Sequence, residues 1–517
     1  MKSDDILVRY ATRTFFGTIL SRIVGYMRDV LVSSLFGTGM LSDAFYVAFR
    51  IPNLLRRIFG EGAFSSAFVP IFNEYLHRKS KEETQEFLNI VFAVLLLTLV
   101  TISILGMFYS SFLAKIVAGG FSNEPEKIQL VINLTRMMFP FVTFICLTVF
   151  LLAILNALNS FFIPSLTPAI ISSSEIIYIL AVAPLFAPNK QIKGLVVSIV
   201  IGGMLCFFVQ YPKLKSLGWR LNFKLNLKHP AVVKILFLMI PSIIGLSADQ
   251  VNALVDSRYA SSLGQGAVSA IYYANRLMQM PLGVFGFAIA TALLPILSKA
   301  YIQRDIVAFK KSFNYSIRLS NFVLIPASIG FMFIGLPIVK FLFEYGKFNA
   351  SSSIMTNNAL FYYSLGLPAY ALVRIFANAF YSFQDTKTPV KVAVEAIGLH
   401  VILGIILMHS LGLGGLALAT TISSYINFIL LAVYLKKYVG KFELKQIVFS
   451  FLKSLFASFI SGIVALYVCR FSDKLFIAVP CAIISSLIVF ITVSYIFKSE
   501  ELMVIHKMLK KNLDRIF

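Results

Sequence analysis

Charge is scarce in this sequence. Asp, Glu, Lys and Arg make up 13% of its 517 residues, about half the share usual in soluble domains. Beside 58% hydrophobic residues and a mean hydropathy of +0.84, that shortage excludes an ordinary water-soluble globular domain. Cysteine is rarer still. Cys146, Cys206, Cys469 and Cys481 stand singly in apolar surroundings. They form no CxxC pair and no metal-ligand spacing, so they read as small buried hydrophobes. No GxxxxGK[ST] loop is present, and no soluble stretch is long enough for a nucleotide-binding domain, which excludes ATP hydrolysis by this chain. No cofactor is implied. The opening MKSDDILVRYATRTFFG carries two acids and is not followed by a small-residue cleavage site, so it reads as a retained cytoplasmic tail and not a signal peptide.

Apolar sequence fills the chain instead, and phenylalanine alone supplies 50 residues. Runs of about 20 apolar residues recur from end to end, each long enough to cross roughly 30 Å of hydrocarbon. They predict an all-α polytopic membrane protein with about 14 transmembrane helices. The expected spans are 10–35, 43–73, 87–117, 129–158, 161–185, 193–213, 231–260, 266–297, 311–341, 354–382, 388–410, 413–436, 448–470 and 475–497. NSFFIPS (159–165) and QDTKTPV (384–390) read as turns between paired spans. Pro140, Pro241, Pro281, Pro326 and Pro368 fall inside or at the ends of spans, where kinks are expected.

The net charge of +23 is unevenly placed. Basic residues collect in the N-terminal tail (Arg9, Arg13), after span 2 (Arg78, Lys79, Lys81), after span 6 (Lys213, Lys215, Arg220) and after span 8 (Lys299, Arg304, Lys310, Lys311). They recur after span 12 (Lys436, Lys437) and in the C-terminal tail (Lys507, Lys510, Lys511). The alternate loops FGTGMLS and SLGQGA have none. This asymmetry predicts both termini in the cytoplasm and an even number of spans. It also assigns the positive charge to loops beside anionic membrane lipids, with no nucleic acid as partner.

The chain echoes itself. Pro70 and Pro295 lie 225 positions apart, as do Pro164 and Pro389, and FGTGMLSDAFYV (36–47) aligns with LGQGAVSAIYYA (263–274) at an offset of 227. Two six-helix lobes related by a parallel repeat follow, at 1–220 and 221–440, with two additional helices and a basic tail at 441–517.

Charges inside the spans are the candidate functional residues, because a charge in hydrocarbon normally faces a bundle interior or a water-filled cavity. SRIVGYMRD (21–29) places Arg22, Arg28 and Asp29 in span 1. Span 2 starts near Asp43 and runs through FRIPNLLRRIFGEGAFS (49–65). There Arg50, Arg57 and Glu61 share one broad face, with Asn53 between them and Arg56 about 100° from Arg57. YYANRLMQMP (272–281) carries Arg276 as its lone full charge. Arg22/Asp29 and Arg57/Glu61 can be structural pairs, and arginines near span ends can snorkel. Basic residues still outnumber acids in the first two spans, and guanidinium forks bind phosphate bidentately, which points to an anionic, phosphorylated substrate. Asp249 and Asp256, seven apart on one face, are candidate ion-coupling residues for a proton or sodium ion, or partners for Arg258 or Arg276. Glu175, Arg374 and Glu395 stay open between structural and functional roles.

The stretch SRIVGYMRDVLVSSLFGTGMLSDAFYVAFRIPNLLRRIFGEGAFSSAFVPIF resembles the MurJ/MviN family of bacterial lipid II flippases, in the MATE-like polysaccharide-exporter superfamily. YYANRLMQMPLGVFGFAIATALLPILSKA, LFEYGKF and FYSFQDTKTPVKVA extend the likeness over nearly the whole chain. The resemblance implies two six-helix lobes forming a central cavity, with two further helices bordering a lipid groove. It implies translocation of lipid II, the peptidoglycan precursor, across the bacterial inner membrane by alternating access, with no enzymatic step. Cavity arginines of the family map onto Arg22, Arg28, Arg56 and Arg276, and neighbouring acids onto Asp29, Asp43 and Glu61. Asn275 and Gln279 stand where some relatives have acids, so that half of the cavity is expected to be less acidic here. Lipid II, membrane lipids and cell-wall synthesis proteins are the implied partners. Transport energy is expected from membrane potential or from sodium or proton coupling. The competing readings are export of another undecaprenyl-pyrophosphate glycan or of a drug, a membrane glycosyltransferase, and a non-transport scaffold.

Overall fold

A computed structural model describes residues 3–58, 62, 64–440, 443–472 and 474–504. Among them every regular element is helical. The order is α1 (Ser3–Phe36), α2 (Met40–Ile58), α3 (Phe64–Arg78), α4 (Lys81–Phe108), α5 (Ser110–Val117), α6 (Pro125–Ala157), α7 (Phe162–Ser165), α8 (Thr167–Ile177), α9 (Pro188–Ser216) and α10 (Pro230–Ala260). There follow α11 (Ala267–Pro281), α12 (Phe287–Ile302), α13 (Ile306–Phe343), α14 (Ala350–Leu365), α15 (Leu367–Ser382), α16 (Lys387–Leu411), α17 (Leu413–Val439), α18 (Leu444–Arg470) and α19 (Leu475–Ile496).

Each expected span coincides with helix, but the spans are not alike. Among the described residues ten helical segments are long and apolar enough to cross a membrane, or eleven if α14 and α15, bent by 44°, form one span. The expected fourteen exceeds this number because α1, the α2–α3 segment and α10 fall outside it. Arg22, Arg28 and Asp29 in α1 and Asp43, Arg50, Arg56 and Arg57 in α2 dilute the apolarity of those helices, whereas part of the α2–α3 segment and most side chains at 241–249 in α10 lie outside the described residues. In the second span α2 is described to Ile58 and α3 from Phe64, and most of the GEG stretch between them lies outside the described residues. Span 8 changes to a π-helical turn at Leu282–Gly286, between α11 and α12.

The chain forms two compact units. One comprises Met1–Val268 with Tyr345–Lys347, the other Ser269–Glu344 with Phe348–Phe517. Relative to the expected boundary at 220, α10 sits with the first unit. Ile235 and Met239 of α10 share a buried cluster with Phe68 and Phe72 of α3, Phe87 of α4 and Phe150 of α6. Phe68 stacks on Phe87 with ring centroids 5.9 Å apart and meets Phe150 edge-on at 5.3 Å, geometries that aromatic pairs favour. In the second unit the last two helices dock on α13: Ala457 and Phe490 pack on Phe322, and Ala465 and Ala482 on Ile334.

Local backbone geometry repeats at the offsets read from the sequence. Asn159 (φ 58°) and Gln384 (φ 60°), 225 positions apart, each take the left-handed conformation that opens the turn after a helix. Gly37 (φ 62°) and Gly264 (φ 101°), 227 apart, do so in FGTG and LGQG. Glycine is the residue for which this conformation carries no steric cost.

Candidate functional site

The site in the first unit begins with close packing of α1 on α7 and α8. A Cβ at Gly17 would overlap Ser165 Oγ, so glycine is what lets α1 approach. One turn on, Ser21 Oγ donates to the Ser165 carbonyl at 2.9 Å. Two further turns along, Arg28 lies within reach of α8. Its Nε and Nη2 donate to Asp29 Oδ1 at 3.0 and 2.6 Å, and its Nη1 donates to Glu175 Oε1 at 3.2 Å. The Asp29 and Glu175 side chains are 2% and 3% exposed and Arg28 16%, so one guanidinium is clamped between two buried carboxylates. Charge-assisted bonds of this kind are about twice as strong as neutral ones. Arg22, seven residues before Asp29, is exposed.

On α2, Arg50 Nε donates to Ser257 Oγ of α10 at 3.0 Å, and Arg56 Nε donates to Asn53 Oδ1 at 3.0 Å. Arg50, Asn53, Arg56 and Arg57 are all half-buried. Asp43 is different. It is fully buried, accepts the Gly266 N–H at 2.7 Å and pairs with Lys127 Nζ at 3.2 Å. Lys127 is itself 1% exposed and lies over the Phe121 ring at 3.8 Å. Asp43 is thus enclosed by protein, in an environment unlike that of the half-buried α2 arginines. Glu61 lies outside the described residues, as does the Asp249 side chain. Asp256 is buried in α10.

In the second unit Arg276 is half-buried on α11. Gln279 Nε2 donates to Asn275 Oδ1, so a neutral amide pair flanks this arginine. Arg374 stacks on Phe287 at 3.6 Å, a packing role, and Glu395 pairs with Lys391 at 3.9 Å on an exposed face, where ion pairs contribute little.

Glu175 and Lys127 are the residues that sequence reasoning left unplaced or missed. An acid in a weakly apolar span was the available signal for Glu175. Lys127 gave none, because a lysine at the start of a span ordinarily snorkels.

Comparison with known proteins bears on this arrangement. A family model described as "Lipid II flippase MurJ" matches residues 32–486. The chain is 38% identical over 437 residues to the "Probable lipid II flippase MurJ" of Buchnera aphidicola subsp. Schizaphis graminum, covering 84% of each. It is 36% identical over 426 residues to the "Lipid II flippase MurJ" of Burkholderia cenocepacia, covering 81% of this chain and 82% of the relative. A solved structure titled "Lipid II flippase MurJ, inward closed conformation" matches with a TM-score of 0.80 and 30% identity, covering 95% of this chain and 98% of the other. An inward-facing MATE multidrug transporter of the MOP superfamily shares the fold at a TM-score of 0.69 and 15% identity.

Proposed function

The chain belongs to the lipid II flippase MurJ family, and on that premise we propose that it moves lipid II from the cytoplasmic to the outer leaflet of the bacterial inner membrane by alternating access. The substrate is a disaccharide-peptide headgroup on undecaprenyl pyrophosphate. The headgroup does not cross hydrocarbon readily, whereas the polyprenyl tail stays in lipid throughout. Charged arginines in a protected site replace the water that solvates the pyrophosphate, and guanidinium retains its charge there. Arg22, Arg28 and Arg56 of the first unit are assigned to the pyrophosphate, and Arg276 of the second unit is a separate candidate for contact with lipid II. No covalent bond of the substrate changes, so the activity is transport. Both termini are assigned to the cytoplasm on the basic-loop asymmetry, and cell-wall synthesis enzymes that use lipid II outside are the functional partners. The energy source is assigned to membrane potential or an ion gradient.

The observation that carries the site assignment is Arg28 held by Asp29 and Glu175. An arginine already oriented by carboxylates is placed to exchange them for a diphosphate. Asp29 and Glu175 then limit repulsion among the arginines between substrate visits and compete with the substrate for its release.

Two measurements test the proposal. Expressed in cells depleted of their own lipid II flippase, the protein is expected to restore lipid II at the outer surface. Correct insertion without restoration overturns the assignment. Lipid II binding at matched folded protein is expected to fall in the order wild type, Arg28→Lys, Arg28→Ala, because lysine keeps the charge and loses the planar fork. Arg276 is expected to give the same order. Normal binding and flipping in Arg22→Ala, Arg28→Ala and Arg276→Ala leave these arginines as structural residues only.

A further inference from the structure

A pocket of about 510 Å³ opens among helix ends of the second unit, apart from the residues assigned to lipid II. Lys311, Asn314 and Arg318 line it from the early turns of α13, Glu443 and Gln446 from the start of α18, and Glu500 from just beyond α19. Three ends of apolar helices meeting at one place put the pocket at the level of lipid headgroups. The neighbouring basic stretches, Lys299–Lys311 and Lys436–Lys445, are those the loop asymmetry assigns to the cytoplasmic side.

One wall is built in advance. Arg318, 13% exposed, is held by Glu500 at 2.8 Å and by Glu501 at 3.3 Å. Glu501 in turn accepts from Ser450 at 3.0 Å and from Ser499 at 2.7 Å. Beside this network Asn314 is 4% exposed, and among the described residues neither its Oδ1 nor its Nδ2 has a hydrogen-bond partner. A buried amide left so is costly and calls for a ligand that both donates and accepts. The mouth carries both signs: Lys311 is exposed, and so are Glu443 and Glu500. A plain anion meets the two carboxylates, and a plain amine meets Lys311 and Arg318. A group bearing phosphate and ammonium a few bonds apart fits both. Leu444, Val448 and Leu452 continue from the pocket along α18 as exposed apolar residues, a surface for acyl chains.

We propose that this pocket holds the zwitterionic headgroup of an aminophospholipid, with its phosphate toward Lys311 and the Asn314 Nδ2 and its ammonium toward the Asn314 Oδ1, Glu443 and Glu500. The bound lipid ties the start of α13 to α18 and to the end of α19. It is a structural lipid site, separate from the transport substrate.

The test uses the full chain reconstituted in bilayers of equal phosphatidylethanolamine and phosphatidylglycerol. The protein is then extracted into detergent, and the retained phospholipid is identified by mass spectrometry. Wild type is expected to retain phosphatidylethanolamine in preference to phosphatidylglycerol. Asn314→Leu and Lys311→Glu are each expected to lower that retention about fivefold, the scale of one lost hydrogen bond or close charge partner. Lys391→Ala, on an exposed face elsewhere, is expected to leave it unchanged. Where Asn314→Leu does not fold, Lys311→Glu and Gln446→Leu at the rim carry the test. Unchanged retention in folded Lys311→Glu and Gln446→Leu overturns the proposal, as does equal retention of phosphatidylglycerol. Complete displacement by soluble glycerophosphoethanolamine assigns the pocket to a soluble amino-phosphate and overturns the lipid reading.

Discussion

Arg28 pairs with two buried carboxylates, Asp29 and Glu175. Neutralising Glu175 keeps the Arg28–Asp29 pair and removes one competitor for the substrate phosphates. Glu175→Gln is therefore expected to bind lipid II about fivefold more tightly, the scale of one net hydrogen bond, and to flip it more slowly because release is opposed. Equilibrium binding beside a flipping assay separates the two effects, and weaker binding in a folded Glu175→Gln protein contradicts the competitor role. The Asp43–Lys127 pair invites a different expectation. Both side chains are essentially inaccessible, so removing one partner leaves the other buried charge undercompensated, with Lys127 keeping Glu124 at 3.8 Å and Asp43 keeping the Gly266 N–H, at a cost of up to about 3–5 kcal/mol. Asp43→Asn and Lys127→Met are each expected to lower thermal stability in detergent sharply, and the double variant is expected to recover much of the loss. If Asp43→Asn abolishes lipid II binding with full stability, Asp43 belongs to the substrate site instead.

The turn before α16 shows how a short polar stretch fixes a helix end. QDTKTPV opens with Gln384 in the left-handed conformation. Asp385 then accepts the Lys387 and Thr388 N–H groups at 3.0 Å each, the Thr388 hydroxyl at 2.6 Å and the Tyr438 hydroxyl at 3.0 Å. Partial burial raises this carboxyl, but the bonds from Thr388, Tyr438 and Lys387 outweigh it and hold it below its ordinary value. A depressed carboxyl contributes stability above its unfolded pKa and loses it as pH falls through the folded value. Asp385→Ala is thus expected to cost about 1 kcal/mol near neutral pH, as lost helix caps do. The difference from wild type is expected to begin shrinking below about pH 4, where Asp protonates in the unfolded chain, and to be lost as pH falls through the lower folded value. Unfolding midpoints of the two proteins across that range check the sign, and a gap that widens in acid refutes it.

For the whole molecule, the proposed energy source is an electrical or ionic gradient. Charged residues within apolar helices respond to a transmembrane potential by about 2.3 kcal/mol per charge per 100 mV moved across the full bilayer. Flipping in proteoliposomes is therefore expected to change with an imposed potential in the absence of ATP. If Asp256, buried in α10, binds a coupling ion, Asp256→Asn is expected to remove dependence on the ion gradient and spare lipid II binding. Unchanged gradient dependence takes Asp256 out of coupling and leaves it as a structural acid of α10.

The sequence by itself determined the class of fold. A chain of repeated apolar runs has few ways to satisfy its backbone groups in lipid, and an unbroken helix is the one open to a run of about 20 residues. The 225-position echo was legible for the same reason that Asn159 and Gln384 share a backbone conformation: turn chemistry is local. The intramembrane arginines were legible too, as exceptions to an apolar pattern. Their partners were not. Arg28 meets Glu175 across 147 positions, and Lys127 meets Asp43 across 84. Periodicity places a charge on a face of its own helix, whereas the helix that covers that face is chosen by packing elsewhere, such as the contact that Gly17 permits at Ser165. The burial of Lys127, the enclosure of Asp43 and the clamp on Arg28 are decided there, because the cost of a charge in a membrane protein depends on what lies opposite it.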